Sequence, residues 1–358
     1  MSIAFFVMGL CESADSKEAS LTSKRIDREL QRPPNKMVQK LLLLGPGESG
    51  KSTCLKQMQI LHNHGFSDTE VEERKGIVYS NTVRSALDIV HAMPTLGIPF
   101  DDPEVVNDVR ILEQQIEDGL EFTPFSLTVK NALVTVWNDK GVRECFNQRN
   151  RFQLSDSAQY FLDNVERTSR KDYRPTDQDI LHTRMPTTGV VKLDFVLKGI
   201  DFHVFDEVKD QKGGSGFIFS VYDVNGIIFV VGISEYDQTL REDNHTNRLI
   251  EALELFDTIS MSKFFAKSSM ILFLNKKDLF EEKIKKTSLN VTFPSYKGGF
   301  NYQDGIKFLK NQFSKLYKVR QKLYIHETCA TDTNQIQHIF NSVIDTIIQE
   351  NLKDTGML

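Results

Sequence analysis

Residues 40–53 read KLLLLGPGESGKST, an apolar run followed by a glycine-rich turn and the start of a helical pattern. Gly45 to Ser52 fit the phosphate-loop pattern G-x-x-x-x-G-K-[ST], in which backbone N–H groups turn inward around phosphate oxygens. Lys51 would reach the β- and γ-phosphates, and the Ser52 hydroxyl would ligate Mg²⁺. The apolar run predicts a buried parallel strand, so the phosphates would bind at the N-terminus of the following helix.

A second string, NKKD at residues 275–278, follows another apolar run, MILFL. The Asp278 carboxylate can accept hydrogen bonds from the N1–H and the exocyclic amine of guanine, an arrangement that adenine does not present. The side chain of Asn275 and the stem of Lys276 would complete the base pocket. A phosphate loop alone would also fit an ATPase or a kinase, but NKKD together with TCAT at residues 328–331 argues against an ATP-using kinase. The two strings predict a guanine nucleotide site.

Composition sets few further limits on function. The chain has 358 residues, 40% hydrophobic and 26% charged, which is ordinary for a globular protein long enough for two domains. A net charge of −5 gives no reason to expect nucleic-acid binding. Four scattered cysteines without a C-x-x-C spacing predict neither a zinc site nor a disulfide framework. No apolar run approaches the length of a membrane span, and a signal peptide is not expected.

The N-terminus carries a possible lipidation signal. From Met8 the chain reads MGLCES, which fits the myristoylation pattern M-G-x-x-x-[ST], with Gly9 as the acceptor and Cys11 placed for palmitoylation. Two acyl chains would give stable membrane anchoring. This prediction requires translation to start at Met8, and the alternative is an apolar N-terminus that carries no lipid.

Hydrophobic periodicity divides the chain into a helical part and an α/β part. Helical spacing of apolar residues predicts helices over 70–93, 103–117, 127–137 and 155–164, with linkers near 62–67 and 173–177. From Thr187 onward, strand and helix signals alternate. VVKLDFVL and IDFHVFD predict an antiparallel edge pair, whereas GIIFVVGIS, MILFLNK and KLYIHETCAT predict buried strands. Helices are expected over 247–258, 302–319 and 333–351.

Over nearly its whole length the chain resembles the α subunit of heterotrimeric G proteins, nearest to the inhibitory class. The shared strings are LLLLGPGESGKST, VYSNT, TRMPTTG, FLNKKDLFEEKIKK, TCATDT and NLKDTGML. The resemblance implies an α/β fold: a Ras-like P-loop GTPase domain with a mostly parallel sheet and an inserted all-α helical domain. The implied limits are 1–39 for an N-terminal helix that carries the lipid anchor and binds βγ, 40–64 with 177–358 for the GTPase domain, and 65–176 for the helical domain.

The same resemblance implies roles for individual residues. Arg184 looks like an arginine finger supplied by the chain itself, paired with Glu48, and it would stabilise charge on the transferred phosphoryl group. The Mg²⁺ ligands would be Ser52, Thr187 and, through water, Asp206. Cys329 and Ala330 would line the base with backbone N–H groups, and Asp156 and Ser157 would close over the nucleotide from the helical domain. The implied nucleotide contacts are Gly45, Glu48, Ser49, Gly50, Lys51, Ser52, Thr53, Asp156, Ser157, Leu181, Arg184, Thr187, Asn275, Lys276, Asp278, Cys329 and Ala330.

One block departs from the family pattern. The second switch of the family reads D-V-G-G-Q, whereas here Asp206 is followed by EVKDQKGGSGF. Val208 and Lys209 replace the two glycines, and Asp210 stands at the place of the catalytic Gln, which orients the attacking water. Gln211 could substitute for it only after a shift of one residue. We therefore predict slow hydrolysis of GTP, and a mis-joined exon is an alternative origin of this block.

The resemblance also implies partners and a location. These are a βγ dimer, a seven-transmembrane receptor contacted by the C-terminal tail, a downstream effector and the cytoplasmic face of the plasma membrane, reached through the lipid anchor. Thr355 stands where the inhibitory class carries the cysteine that pertussis toxin modifies, so no such modification is expected. Two functions stay open at this point: a cycling GTP/GDP switch, and a nucleotide-bound interaction module that does not cycle.

Overall fold

The computed structural model describes residues 37–185, 190–207, 224–319 and 322–354. Within them the chain forms one six-stranded sheet, with strands β1 Val38–Leu44, β2 Val190–Leu197, β3 Ile200–Glu207, β4 Gly226–Gly232, β5 Ser269–Asn275 and β6 Leu323–Glu327. The strand order is β2-β3-β1-β4-β5-β6. Only β2 runs antiparallel to its neighbour, pairing Val190 with Glu207 through Leu197 with Ile200. The predicted antiparallel pair and the mostly parallel sheet are both confirmed.

Twelve α-helices accompany the sheet in the described ranges. They are α1 Lys51–His62, α2 Asp68–Leu96, α3 Val105–Glu117, α4 Leu127–Asn138, α5 Lys140–Asn147, α6 Ala158–Asp163, α7 Val165–Thr168, α8 Asp177–His182, α9 Arg248–Ser260, α10 Lys277–Ile284, α11 Tyr302–Leu316 and α12 Thr333–Asp354. The sequence predicts α1 to α4, α6, α9, α11 and α12 with ends displaced by a few residues. It does not predict α5, α7, α8 or α10, because these helices are one or two turns long and carry too few apolar positions to show a period.

Alternation along β1 explains why helices cover both faces of the sheet. Leu42 and Leu44 pack into a cluster with β4, β5, α9 and α11, whereas Leu41 and Leu43 pack into another with α1 and α12. A central parallel strand must be apolar on both faces, and β4 is buried at every position. By contrast, all five residues of β6 are only half-buried, which corrects the prediction of a buried strand. β6 lies at the edge of the sheet, where only β5 pairs with it.

Residues 65–176, called the helical segment below, have a core of their own. Apolar side chains of α2 pack with those of α3, α4, α5 and α6 around the buried Trp137. Helix α2 begins with a capping box, in which Ser67 and Glu70 each accept a hydrogen bond from the backbone N–H of the other. The mostly parallel sheet and the separate helical core agree with the predicted fold, while the domain limits themselves stay a prediction.

Some predictions fall outside the described residues. They concern Gly9, Cys11, Thr187, Gln211, the block from Val208 to Gly216, the N-terminal helix and Thr355 with the rest of the tail. Among the helices that the structure does describe, none is both long and apolar enough to cross a membrane.

Candidate nucleotide-binding site

The phosphate loop joins β1 to α1 and requires glycine at two positions. Gly45 has φ 141°, and a Cβ atom built on it would lie 2.2 Å from the carbonyl oxygen of Val230 in β4. Gly50 has φ 104°, and its Cβ would lie 2.2 Å from Nδ2 of Asn275. Side chains at these places would both strain the backbone and collide with neighbours. The glycines of the motif therefore let the loop pass close to β4 and to the NKKD segment.

Lys51 begins α1 and turns back over the loop. Its Nζ donates hydrogen bonds to the carbonyl oxygens of Gly45, at 2.9 Å, and Pro46, at 2.7 Å. Burial lowers the pKa of Lys51, and the carboxylates of Asp206 and Glu235 act in the opposite direction. Phosphate oxygens at the loop would add the negative charge that a buried ammonium favours. This placement agrees with the predicted phosphate contact.

Ser52 and Asp206 meet at the ends of α1 and β3. The Ser52 hydroxyl donates to Oδ2 of Asp206 at 3.1 Å, while Oδ1 of Asp206 is buried without a hydrogen-bond partner among the described residues. Burial raises the pKa of this carboxyl, and Lys51 opposes the shift. A hydroxyl and an unsatisfied carboxylate oxygen are hard oxygen ligands of the kind that Mg²⁺ binds, usually with only one or two from the protein. The residues present therefore fit a Mg²⁺ site.

Asn275 ties the phosphate loop to the base segment. Its Nδ2 donates to the carbonyl oxygen of Ser49 at 2.8 Å. Its Oδ1 accepts from the Thr328 hydroxyl at 3.1 Å and from the backbone N–H of Ala330 at 3.0 Å. The carboxamide thus joins three loops, and its contact with a base stays a prediction.

The predicted base pocket gathers at the carboxyl ends of β5 and β6. Asp278 lies exposed in the first turn of α10, and Cys329 is buried beside it. Burial raises the pKa of the Cys329 thiol, and the negative charge of Asp278 raises it further. The backbone N–H of Cys329 donates to Gln335 at 2.8 Å. This N–H and that of Ala330 thus hold the loop through side chains of the chain itself, a use that the sequence did not predict.

Glu48 lies between two arginines. It has φ 63° and forms the predicted ion pair with Arg184, and a second with Arg248 at 2.8 Å. Burial alone would raise the pKa of Glu48, but Arg184 and Arg248 outweigh it and the pKa is lowered. Glu48, inside the phosphate loop, is therefore held as a carboxylate by two arginines from other segments.

The ion pairs continue from Glu48 to the helical segment. Arg248 lies 3.8 Å from the buried Glu235, whose carboxylate pairs with Lys276 at 2.5 Å. Lys276 also pairs with Asp156, and Arg248 donates to Gln153 at 2.7 Å. Burial lowers the pKa of Lys276, but the two carboxylates raise it by more, so its net shift is upward. We call Glu48, Asp156, Arg184, Glu235, Arg248 and Lys276 the charged cluster.

Sequence reasoning missed Glu235, Arg248 and Gln153. Glu235 follows β4 at the carboxyl end of a central strand, where ligands of such sheets bind, and that position could have indicated it. Arg248 and Gln153 gave no sequence signal, because each acts through contacts between distant segments.

The remaining predicted contacts lie nearby. The Ser157 hydroxyl is 3.2 Å from Nδ1 of His182, whose ring stacks on Tyr160 with centroids 3.9 Å apart. Burial lowers the pKa of His182 to about 4, so its ring is neutral near pH 7. Leu181 is buried, which leaves its side chain almost no surface for a ligand. Thr53 is half-buried in the first turn of α1.

Comparisons with known proteins agree with this geometry. A family model described as "G-protein alpha subunit" matches residues 20–347. The alpha-17 and alpha-3 subunits of guanine nucleotide-binding proteins from Caenorhabditis elegans are each 46% identical to this chain, over 98% of it and the whole of each relative. The G(o) subunit alpha of Locusta migratoria is 45% identical with the same coverage. With a phosphate loop, a base segment and a helical segment in the expected arrangement, the chain belongs to the G-protein alpha subunit family.

Proposed function

We propose that this chain binds GDP and GTP with Mg²⁺ in the cleft between the sheet and the helical segment, and that it hydrolyses GTP slowly. The observation that carries the proposal is Asn275, which holds the phosphate loop and the base segment as one unit. In this proposal Lys51 and the loop N–H groups bind the phosphates. Asp278 accepts hydrogen bonds from guanine.

Ser52 and Asp206 would hold Mg²⁺, with Thr187 as the further ligand suggested by the family. When bound, the ion would neutralise charge on the β- and γ-phosphate oxygens. The chain itself keeps a hydroxyl and a carboxylate oxygen in contact at the edge of the phosphate loop.

Arg184 would supply positive charge to the γ-phosphoryl group as the bond to the leaving oxygen lengthens. Its pairing with Glu48 supports this role, because it holds the guanidinium over the phosphate loop. The same pair would have to loosen for Arg184 to reach the γ-phosphate fully. Gln211 would orient the attacking water if the chain shifts by one residue there. Without that shift, no side chain of the block would take the place of the family's Gln.

Members of this family interact with receptors, βγ dimers and effectors. We propose the finer assignments on the strength of the family pattern. A seven-transmembrane receptor would contact the C-terminal tail, βγ would bind the N-terminal helix and the second switch, and lipid at Gly9 and Cys11 would hold the chain at the cytoplasmic face of the plasma membrane.

A second candidate rests on the altered block after Asp206. Lys209 and Asp210 stand where the family places a glycine near the γ-phosphate and the water-orienting Gln. A side chain at the glycine position crowds the phosphate, and an added carboxylate repels it. On this reading the chain holds nucleotide and binds partners without cycling.

The deciding experiment compares the natural chain with a variant carrying E207V, V208G, K209G and D210Q. Binding of mant-GTP and single-turnover hydrolysis are measured for both with Mg²⁺. Binding by both chains with faster hydrolysis only in the variant supports a working pocket with a slow switch. Equal hydrolysis by both supports an ordinary cycling GTPase, and failure of both to bind mant-GTP contradicts the proposed site.

A further inference from the structure

Lys56 lies one helical turn after Ser52 on α1, and nothing above gives it a role. Its Nζ donates to the carbonyl oxygens of Ile180, at 2.8 Å, and Thr183, at 2.7 Å, and to the Thr183 hydroxyl, at 3.0 Å. An ammonium group has three donors and no acceptor, so these three bonds use all of them. One lysine of the helix that bears Ser52 therefore fixes the peptide immediately before Arg184.

The local geometry makes this contact specific. Thr183 is the C-terminal cap of α8 and is buried, and its hydroxyl donates to the carbonyl of Ile180 at 2.6 Å. Carbonyl groups at the C-terminal end of a helix lack their usual partners and attract cations, and the Ile180 carbonyl accepts from Lys56 in addition to Thr183. Lys56 supplies that cation from α1.

Asn81 of α2 holds the next residue from the opposite side. The backbone N–H of Arg184 donates to Oδ1 of Asn81 at 2.7 Å, and Nδ2 of Asn81 donates to the Arg184 carbonyl at 3.2 Å. The side chain of Arg184 itself is exposed and pairs with Glu48. Both backbone groups of Arg184 are thus used by one carboxamide of the helical segment.

We propose that Lys56 and Asn81 are positioning residues for Arg184, which fix its backbone from the two sides of the cleft so that its guanidinium meets the γ-phosphate. The inference rests on the role proposed for Arg184 above. Neither residue is among the predicted nucleotide contacts. They would act by placing the Arg184 guanidinium. A misplacement of a catalytic group by about 1 Å can slow a reaction on the order of a hundredfold.

The hydrogen bonds of Lys56, and not its charge environment, hold it against residues 180 and 183. Burial and, to a smaller extent, the positive charge of the nearby Arg74 together lower the pKa of Lys56 to about 7. No carboxylate among the described residues pairs with Lys56 in a salt bridge, and its positive charge in turn lowers the pKa of His182. Without a carboxylate partner, Lys56 is held by the oxygens of residues 180 and 183.

The test uses the chain with the restored switch (E207V, V208G, K209G and D210Q), so that hydrolysis is fast enough to measure. K56M and N81A are each introduced with Arg184 present and in an R184A background. N63A is the matched control, because Asn63 also donates from its carboxamide to a backbone carbonyl, that of Asp194, but does not touch residues 183 and 184. Single-turnover hydrolysis, the mant-GTP dissociation constant and the thermal midpoint are measured for each variant.

With Arg184 present, we expect K56M and N81A each to slow hydrolysis by about tenfold to a hundredfold. The dissociation constant for mant-GTP should change by less than about threefold, because neither residue is among the predicted nucleotide contacts. In the R184A background both substitutions should have almost no further effect on rate.

A different pattern would overturn the inference. An equal loss with and without Arg184, or a loss that follows mant-GTP affinity or the thermal midpoint, would mean that the two residues only stabilise the fold. Normal rates in K56M and N81A while R184A is slow would leave the role of Arg184 standing and remove the positioning role. If R184A itself hydrolyses GTP normally, both the proposed role of Arg184 and this inference fail. Should K56M not fold, N81A decides the matter alone.

Discussion

The phosphate loop and the charged cluster share Glu48 but are held together by different kinds of interaction. The loop depends on backbone: two glycines with positive φ and close contacts to Val230 and Asn275 leave no room for a side chain. The cluster depends on side-chain charge, with three cations and three carboxylates from distant segments. The steric constraints on the loop glycines allow almost no substitution. The ion pairs of the charged cluster, by contrast, can break and re-form. We therefore expect substitutions in the loop to have larger effects than substitutions in the cluster.

Substitution in the loop should have the largest effect. G45V places a Cβ against the carbonyl of Val230 and demands a positive φ of a β-branched residue. Strain and overpacking each cost about 1–3 kcal/mol, so we expect nucleotide binding weaker by two orders of magnitude or more. Titration with mant-GDP measures it. G47A is the control, because a Cβ at Gly47 meets nothing within 4 Å. If G47A were as harmful as G45V, the loop would not owe its rigidity to these contacts.

Loss of base recognition should have the next largest effect on nucleotide affinity. D278N removes a charged acceptor that would take two hydrogen bonds from guanine, and we expect GTP affinity to fall by at least about a hundredfold. Because an amide can donate as well as accept, the variant should bind xanthosine triphosphate better than the natural chain does. Competition of each nucleotide against mant-GDP is the measurement. D332N serves as control, since Asp332 caps α12 through the N–H of Gln335 nearby. Unchanged guanine affinity in D278N would contradict the base pocket.

Breaking the charged cluster should have a smaller effect that appears in rates. D156N removes the ion pair between the helical segment and Lys276, and leaves the backbone of the loop untouched. Because Asp156 is partly exposed, we expect mant-GDP to dissociate only about threefold to tenfold faster, with little change in association. D163N is the control, since Asp163 accepts from Trp137 inside the helical segment. Slower dissociation in D156N would show that this pair does not restrain opening.

The smallest expected effect is that of His182 on the stability of the folded chain at acidic pH. The folded-state pKa of His182, about 4, lies below its ordinary value of 6.5. Between these values the unfolded chain binds the proton and the folded chain does not, so stability falls as the pH is lowered from 6.5 towards 4. H182Q should reduce this slope, measured as the free energy of unfolding in urea. His62 and His326, whose pKa values burial also lowers, account for part of the remaining slope. An unchanged slope in H182Q would contradict this account of His182.

The sequence predicted the parts of the site that depend on short contiguous strings. The two motifs, Gly45 to Ser52 and Asn275 to Asp278, predict the loops, and the apolar run before each motif predicts a strand. Both signals are local, so they can be read from a short stretch of sequence. The antiparallel pair of β2 and β3 was also predictable, since its two strands are separated by only two residues. The short helix α8 was not, because its two apolar residues, Ile180 and Leu181, are adjacent and show no helical spacing.

Contacts between distant segments were beyond the sequence. The pairs of Arg248 with Glu48, Asn81 with Arg184 and Lys56 with Thr183 join residues separated by 103 to 200 positions. Only the folded chain brings them together. The sequence around a charged residue of a helix does not indicate which distant residue it will pair with. The half-buried state of β6 was missed for a related reason, since an edge strand and a central strand can have the same apolar letters.

Asn275 has a mechanical consequence. α12 begins three residues after Ala330, whose N–H is bonded to Oδ1 of Asn275, and Nδ2 of Asn275 is bonded to Ser49 in the phosphate loop. The Ala330 carbonyl in turn accepts from Gln57 of α1 at 2.8 Å. A displacement at the start of α12 would therefore be passed through two hydrogen bonds to Ser49 of the phosphate loop, and through one to the helix that bears Ser52. The start of the last helix is thereby coupled to both segments that would hold the phosphates and Mg²⁺.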